Sequence, residues 1–267
     1  MKKDSKGLII WKKRGIIMYT KQEILEIAKN QLALDFSCNI DDINKNTNTI
    51  VENILKNGRR IYDSDGCALK ILCLGSKAVV STIPELMPWF QEELENFDAN
   101  WLFQYPILKN IDRKLMEFGH EIADIHHYYL PKAEINEVQP ISSVRWYEQE
   151  EILQFQGDDR FDEAFAFDKS HPDMLAVAAL EGDEILGMAG ASCDGEVMWQ
   201  IGINVVEEYR GRGIGTNLVS LLKNELLRRG KIPFYSTIES NIHSQNIAIK
   251  AGFYPVWAEL YSRKLKI

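Results

Sequence analysis

Several absences narrow what this chain can be. Its four cysteines, Cys38, Cys67, Cys73 and Cys193, are scattered with no C-x-x-C pair, which argues against a disulfide framework or a zinc site and for free thiols in a reducing cytoplasm. No apolar run approaches the roughly 20 residues of a membrane span. The start at Met1-Lys2-Lys3 is basic, but the apolar run Gly7 to Trp11 is too short for a secretory leader and no small-residue cleavage site follows. Basic residues are not in excess: 31 Lys and Arg face 39 Asp and Glu, a net charge of −8, which disfavours general nucleic-acid or membrane-surface binding and requires any anion site to be local. His126 and His127 alternate faces in a strand-like run and cannot share one metal, so no metal site is expected. The expectation is a cytoplasmic protein. Met18 stands just before a well-formed helix, so residues 1–17 read as an extension or as lying upstream of the true start.

What is present suits one large or two modest domains: 267 residues, 45% hydrophobic and 26% charged. Thr20-Lys21-Gln22-Glu23 has the form of a capping box opening a helix to about Asp35. Asn39 to Thr49 reads as loop, Thr49 to Leu55 as a strand, and Cys67 to Cys73 with Val79 to Ile83 as a hairpin across Gly75-Ser76. Helices are expected from Pro84 to about Phe97 and from Pro106 to Phe118, then a strand from His120 to Leu130. The charged, proline-bounded stretch Pro131 to Pro140 reads as a linker. After it come a strand (Ile141 to Tyr147), two short helices (Glu148 to Phe155 and Asp159 to Phe167), and a hairpin of Met174 to Leu180 with Ile185 to Ala191 joined by Glu181-Gly182-Asp183-Glu184. The end reads as a strand from Ile232 to Ile238, a helix after Asn241, and a strand pair at Tyr254 to Trp257 and Leu260 to Leu265. The domains are therefore 18–130 (α+β), 131–140 (linker) and 141–267.

The stretch from Glu196 to Arg229 carries the chemistry. Val197, Trp199, Ile201, Ile203 and Val205 are apolar at alternate positions, the pattern of a strand with one face in a core. Then come Arg210-Gly211-Arg212-Gly213-Ile214-Gly215, and Ile214, Leu218, Leu221, Leu222 and Leu226 at helical spacing, closed by Arg228-Arg229-Gly230. A strand, a glycine-rich turn and a helix aim the backbone N–H groups of Gly211 to Gly215 and the positive end of a helix dipole at an anion such as pyrophosphate. Arg210 and Arg212 add cationic donors and Thr216 a hydroxyl. A P-loop needs a lysine after its last glycine, and a dinucleotide loop needs Gly-x-Gly-x-x-Gly; neither is here.

The pattern Arg210-x-x-Gly213-x-Gly215 resembles the acyl-CoA pyrophosphate loop of the GNAT superfamily of N-acyltransferases. A second block, Asn241 to Phe253 with Ser244, Ala248 and Gly252, resembles that family's later helix. The likeness covers about the last half of the chain. It implies an α/β fold with a mixed, mostly antiparallel central sheet, preceded here by a smaller α+β domain. The run Ile107 to Gly119-His120 parallels the second block, as a degenerate copy lacking the loop would; an unrelated α+β domain is the other reading.

What the resemblance implies about function is transfer of an acetyl group from acetyl-CoA to a primary amine of a small molecule or peptide, by direct attack in a ternary complex. The pantetheine arm would pair with the main chain at Ile203 and Val205, with the pyrophosphate on Arg210, Gly211, Arg212, Gly213, Ile214, Gly215 and Thr216. Asn241 and Ser244 would assist, though both also suit helix capping. Gly202 would form a bulge opening this strand from the next. Two positions depart from the family: Trp199, eleven residues before Arg210, replaces a glutamate base, and Ala248, seven after Asn241, replaces a tyrosine acid. Glu239 and His243 are the substitute catalytic candidates, each otherwise a solvated or capping residue. The missing proton handlers also fit a different class, a non-catalytic acyl-CoA-binding sensor or regulatory module. An exposed apolar strand edge would suit a homodimer.

Overall fold

The computed structural model describes residues 2–3, 9–13, 16–61 and 66–265, with side chains from Tyr19 onward. In chain order the elements are β1 (Lys2–Lys3), β2 (Ile9–Lys13), β3 (Ile16–Met18), α1 (Lys21–Asp35), α2 (Ile40–Asn44), β4 (Thr49–Glu52), β5 (Leu69–Leu74), β6 (Lys77–Thr82), α3 (Met87–Leu94), α4 (Tyr105–Met116) and β7 (His120–Pro131). There follow β8 (Ser143–Glu148), α5 (Gln149–Ile152), β9 (Asp173–Glu181), β10 (Glu184–Ser192), β11 (Met198–Val205), α6 (Ile214–Arg228), β12 (Ile232–Ile238), α7 (Ile242–Lys250) and β13 (Phe253–Lys264). β1 to β3 pair as a small antiparallel sheet. The reading of residues 1–17 as an extension otherwise lies outside the described residues.

The chain forms two compact units. Unit 1 comprises Met1–Glu26, Tyr129–Ser236 and Asn241–Tyr254; unit 2 comprises Ile27–Tyr128, Thr237–Ser240 and Pro255–Ile267. The changeover thus falls inside β7, while residues 132–140 lie in unit 1 and are fastened to α6: Asn217 Nδ2 donates to the Gln139 carbonyl and Asn224 Nδ2 to that of Asn136.

In unit 1 the strand order is β12-β11-β10-β9-β8, antiparallel except for the parallel pair β11 with β12. The sheet is thus mixed and mostly antiparallel. The β9–β10 hairpin closes with Glu181 opposite Glu184, which leaves Gly182-Asp183 as a two-residue turn with Gly182 at φ 61. One sheet face carries Ile201, Ile203 and Val205 against Ile214, Leu218, Leu222 and Leu226 of α6. Each of the fully buried leucines contributes on the order of 2 kcal/mol. The other face carries Ala176, Ala178 and Met188 against Ile152, Phe155, Phe161 and Phe165. α6 is buried on more than its apolar stripe, because the 132–140 segment covers Asn224 as well.

In unit 2 the order is β4-β6-β5-β13-β7. This is not the consecutive order of unit 1, although α4, Gly119 at φ 74 and β7 repeat locally the passage α7, Gly252 at φ 88 and β13. Its core packs Leu69, Ile71, Val80, Leu86, Phe90, Ile111 and Leu115. Beside it Arg60, 1% exposed, donates to Asp35 at 2.5 Å and to Glu259 at 2.7 Å, and Trp257 Nε1 also donates to Glu259. Buried charges are stable only when paired and hydrogen-bonded in this way. Burial alone raises the Cys73 thiol to about 12 and, as the main cause, the Cys38 thiol to about 11, so both stay protonated near neutrality.

Three expectations change besides the helix expected from Asp159 to Phe167, which is a single 3-10 turn, Asp159–Phe161, followed by irregular chain. The 39–49 loop contains the short helix α2, whose N-cap is Asn39 and whose Asp42 carboxylate reaches back to accept the Asn39 N–H at 3.0 Å. The terminal strand pair is one continuous strand, β13. The capping box is present as expected, with Thr20 N–H donating to Glu23 and Glu23 N–H to Thr20 Oγ1. The third change concerns Gly202, which sits in uninterrupted register opposite Gly190 with no bulge. A Cβ on Gly202 would lie 1.9 Å from the Glu163 carbonyl oxygen, and one on Gly190 2.1 Å from that of Ala164. The glycine pair makes room for a crossing main chain.

Two stability outcomes follow. Arg60→Ala would strand two buried carboxylates and should lower the unfolding free energy by about 3–5 kcal/mol, read from the urea midpoint; a loss below about 1 kcal/mol would mean that the carboxylates are not held by this pair. Gly190→Ala should cost about 1–3 kcal/mol by forcing the crossing segment off the sheet, measured by thermal unfolding.

Candidate active site

β11 has two unlike edges. Along β10 it is paired from Gln200 to Val205; along β12 the register runs only through Met198↔Ile232, Trp199↔Pro233 and Gln200↔Phe234. From Ile201 onward the two parallel strands diverge, and Gln200 Nε2 donates to Ser236 Oγ at 3.1 Å at the root of this fork. The divergence that a bulge was expected to produce comes from the departure of β12.

β11 ends in the glycine-rich turn. Gly211 and Gly213 have φ of 80 and 81, and a Cβ on either would meet nothing within 4 Å, so backbone conformation is what these two positions demand of the residue. Gly215 differs: its Cβ would meet Ile247 at 3.2 Å and Val205 at 3.3 Å, so its small size lets the first turn of α6 pack between β11 and α7. Gly213 is the N-cap of α6 and offers no side-chain cap. The Asn217 N–H donates to the Gly213 carbonyl, whereas the N–H groups of Ile214, Gly215 and Thr216 precede the first intrahelical acceptor. A 15-residue helix therefore presents an uncapped positive end at an exposed turn. Arg210 Nε donates to the Val205 carbonyl at 3.1 Å, which ties this side chain to the end of β11, and the Arg212 guanidinium lies 5.0 Å over the Tyr209 ring.

α7 lies on the same sheet face as α6, with Ala248 in their shared core. Asn241 caps it, its Oδ1 accepting the Ser244 N–H at 3.1 Å. The Ser244 hydroxyl is 2.8 Å from the Tyr235 hydroxyl, and Tyr235 is the first β12 residue beyond the paired stretch. Burial pushes the Tyr235 hydroxyl up to about 12, a rise to which the Glu163 carboxylate adds. His243 is exposed on the first turn of α7.

Ile203, Val205, the Arg210 to Thr216 turn, Asn241, His243 and Ser244 all belong to unit 1. Glu239 belongs to unit 2, where its carboxylate lies 3.3 Å from His127 Nε2. Trp199 is core: 7% exposed, packed with α6, its ring beneath the Lys231 ammonium at 4.9 Å.

Sequence reasoning missed Asn204 and Glu163. Asn204 Oδ1 accepts the N–H groups of Glu163 at 3.0 Å and Ala164 at 2.7 Å, and its Nδ2 donates to Asp162. A lone asparagine alternating with Ile203 and Val205 was the available signal; its partners, about 40 residues upstream, were not. Among the described residues no group of three or more His, Cys, Asp or Glu could hold a metal ion, and no helix is long and apolar enough to cross a membrane.

Residues 135–253 match the model of the acetyltransferase (GNAT) family. No curated protein matches. Among solved structures, a GCN5-related N-acetyltransferase-like protein from Streptococcus suis is 13% identical, with TM-score 0.44 over 75% of this chain and 86% of its own. A putative GNAT acetyltransferase from Novosphingobium aromaticivorans is 12% identical, with TM-score 0.41 over 55% and 69%. A GCN5-related N-acetyltransferase from Kribbella flavida is 13% identical, with TM-score 0.44 over 57% and 63%. It is the family match, and not these distant likenesses, that identifies the domain: residues 135–253 belong to the GNAT acetyltransferase family, and the protein is by class an acyltransferase.

Proposed function

We propose that the chain transfers the acetyl group of acetyl-CoA to a primary amine of a small molecule or peptide, by direct attack within a ternary complex, in the cytoplasm. One observation carries the reading: an uncapped helix N-terminus entered through two positive-φ glycines directly after a strand whose far edge is free of β12. The first feature fits a pyrophosphate, through the N–H groups of Gly211 to Thr216 with Arg210 and Arg212 nearby. The second fits the amide-bearing pantetheine arm, which would add to β11 near Ile203 and Val205 as an extra strand does. Asn241 caps α7 in the free chain, and Ser244 is placed by Tyr235; Ser244 is the better candidate of the two for touching the cofactor.

The reaction needs stabilisation of the carbonyl oxygen as it gains charge, a proton route from the amine and a proton for the thiolate. Main-chain N–H groups on the open edge of β11 suit the first. Glu239 and His243 remain candidates for the second, with Glu239 engaged by His127 and His243 exposed. The sensor reading draws on Trp199 and Ala248, both buried and both unable to move a proton.

Calorimetric titration with acetyl-CoA, followed by thiol release over an amine panel, separates the two. The enzyme reading expects binding together with release of free CoA on at least one amine; binding without turnover on any amine would favour the sensor. Gly213→Asp should weaken acetyl-CoA binding at least a hundredfold, because it sets a carboxylate where the pyrophosphate would lie. Gly213→Asn, which tolerates the left-handed backbone without the charge, should retain most of the affinity. Equal affinities for Gly213→Asp and the native chain would place the cofactor elsewhere.

A further inference from the structure

The segment that crosses the even-numbered face of β11 is held amide by amide. Asn204 takes the N–H groups of Glu163 and Ala164, the Phe161 carbonyl takes that of Phe165, and Asp173 takes those of Ala166 at 3.3 Å and Phe167 at 2.8 Å. Five consecutive amides are thereby fixed, and the main chain is seated in the slot left by Gly190 and Gly202. Phe167 is held at φ 50, a conformation a bulky residue adopts only when its surroundings impose it. So much fastening of an irregular segment fixes the backbone from which its side chains project.

The side chain in question is Glu163. Its carbonyl lies against Gly202, two residues past the last residue of β11 paired with β12, so this stretch of main chain runs beside the part of β11 that β12 has left. The carboxylate is exposed, whereas neighbouring Asp162 is tied to Asn204 Nδ2. It belongs to the same compact unit as the glycine-rich turn. A negative group carried on a fixed main chain beside a site proposed to open on a thioester is suited to a cationic amine.

We propose that Glu163 is a catalytic residue that receives the acceptor's ammonium group and removes its proton, a role that rests on the acetyl-transfer reading above. The ammonium gives one proton to the Glu163 carboxylate, which passes it to solvent. The freed lone pair forms the C–N bond at the thioester carbonyl carbon. As the C–S bond breaks, its electron pair goes to sulfur, and the second proton shed by nitrogen ends on the CoA thiolate. Asn204 is the positioning residue, acting through the main chain of Glu163.

The test uses the full chain, with Glu163→Gln and Glu163→Asp compared across pH on an amine that the native protein acetylates. Glu163→Gln should bind acetyl-CoA within about twofold of the native chain and unfold at the same temperature, while kcat/KM for the amine falls roughly a hundredfold, the scale of a lost general base. The deficit should shrink as pH rises and more of the amine arrives unprotonated, and Glu163→Asp should lie between. An unchanged kcat/KM and pH profile in Glu163→Gln would make Glu163 an ordinary solvated carboxylate and overturn the proposal alone, with acetyl transfer intact. A native chain that binds no acetyl-CoA, or binds it and turns over no amine, would overturn the acetyl-transfer reading and this role with it.

Discussion

The arrangement of unit 1 depends on β11 being paired along one edge for nearly its whole length and along the other only to Gln200. The parallel partner β12 follows α6, so it must start beside the beginning of β11, at Met198 opposite Ile232, and it is free to diverge once three residues have paired. Divergence leaves backbone polar groups of β11 without a neighbouring strand, and such groups need partners from water or from a ligand. The open edge and the turn at its end are therefore consequences of one topological fact.

The two faces of β11 serve different ends. The odd-numbered face is apolar and takes α6, and Gly215 brings the start of that helix tight against Val205 and Ile247. This fixes where the positive helix end points. The even-numbered face has no apolar packing to offer at Gly202 and Asn204; it takes a main chain instead, through a glycine that vacates space and an amide that accepts two N–H groups. Cofactor and acceptor would thus be organised by the same eight-residue strand.

Unit 2 is stabilised by different means. Its apolar core stands beside a buried Asp35, Arg60 and Glu259 network with Trp257. Buried ion pairs add little net stability over an apolar replacement but penalise the loss of any one member heavily. Such a network specifies one arrangement of β13 and the segment around Arg60 more than it strengthens it.

Much of this was legible in the residue order. The alternation in β11, the glycine-rich turn, the helical spacing of α6, the two-residue turn at Gly182 and the capping box at Thr20 are local rules, and each is followed. What the residue order by itself determined is therefore the strand, turn and helix, and the family to which they belong. Only the tertiary structure decided the rest. Gly202 reads as a bulge until the carbonyl of Glu163 is seen 1.9 Å from where its Cβ would be. Trp199 gains its core role from Lys231 and α6, and Asn217 and Asn224 become fastenings for the 132–140 segment. The placement of Glu163 rests on contacts with residues about 40 positions away. Periodicity and capping act over a few residues, so they are written in the chain order; close approach and partner choice depend on which distant segments meet, and that is settled only when the chain has folded.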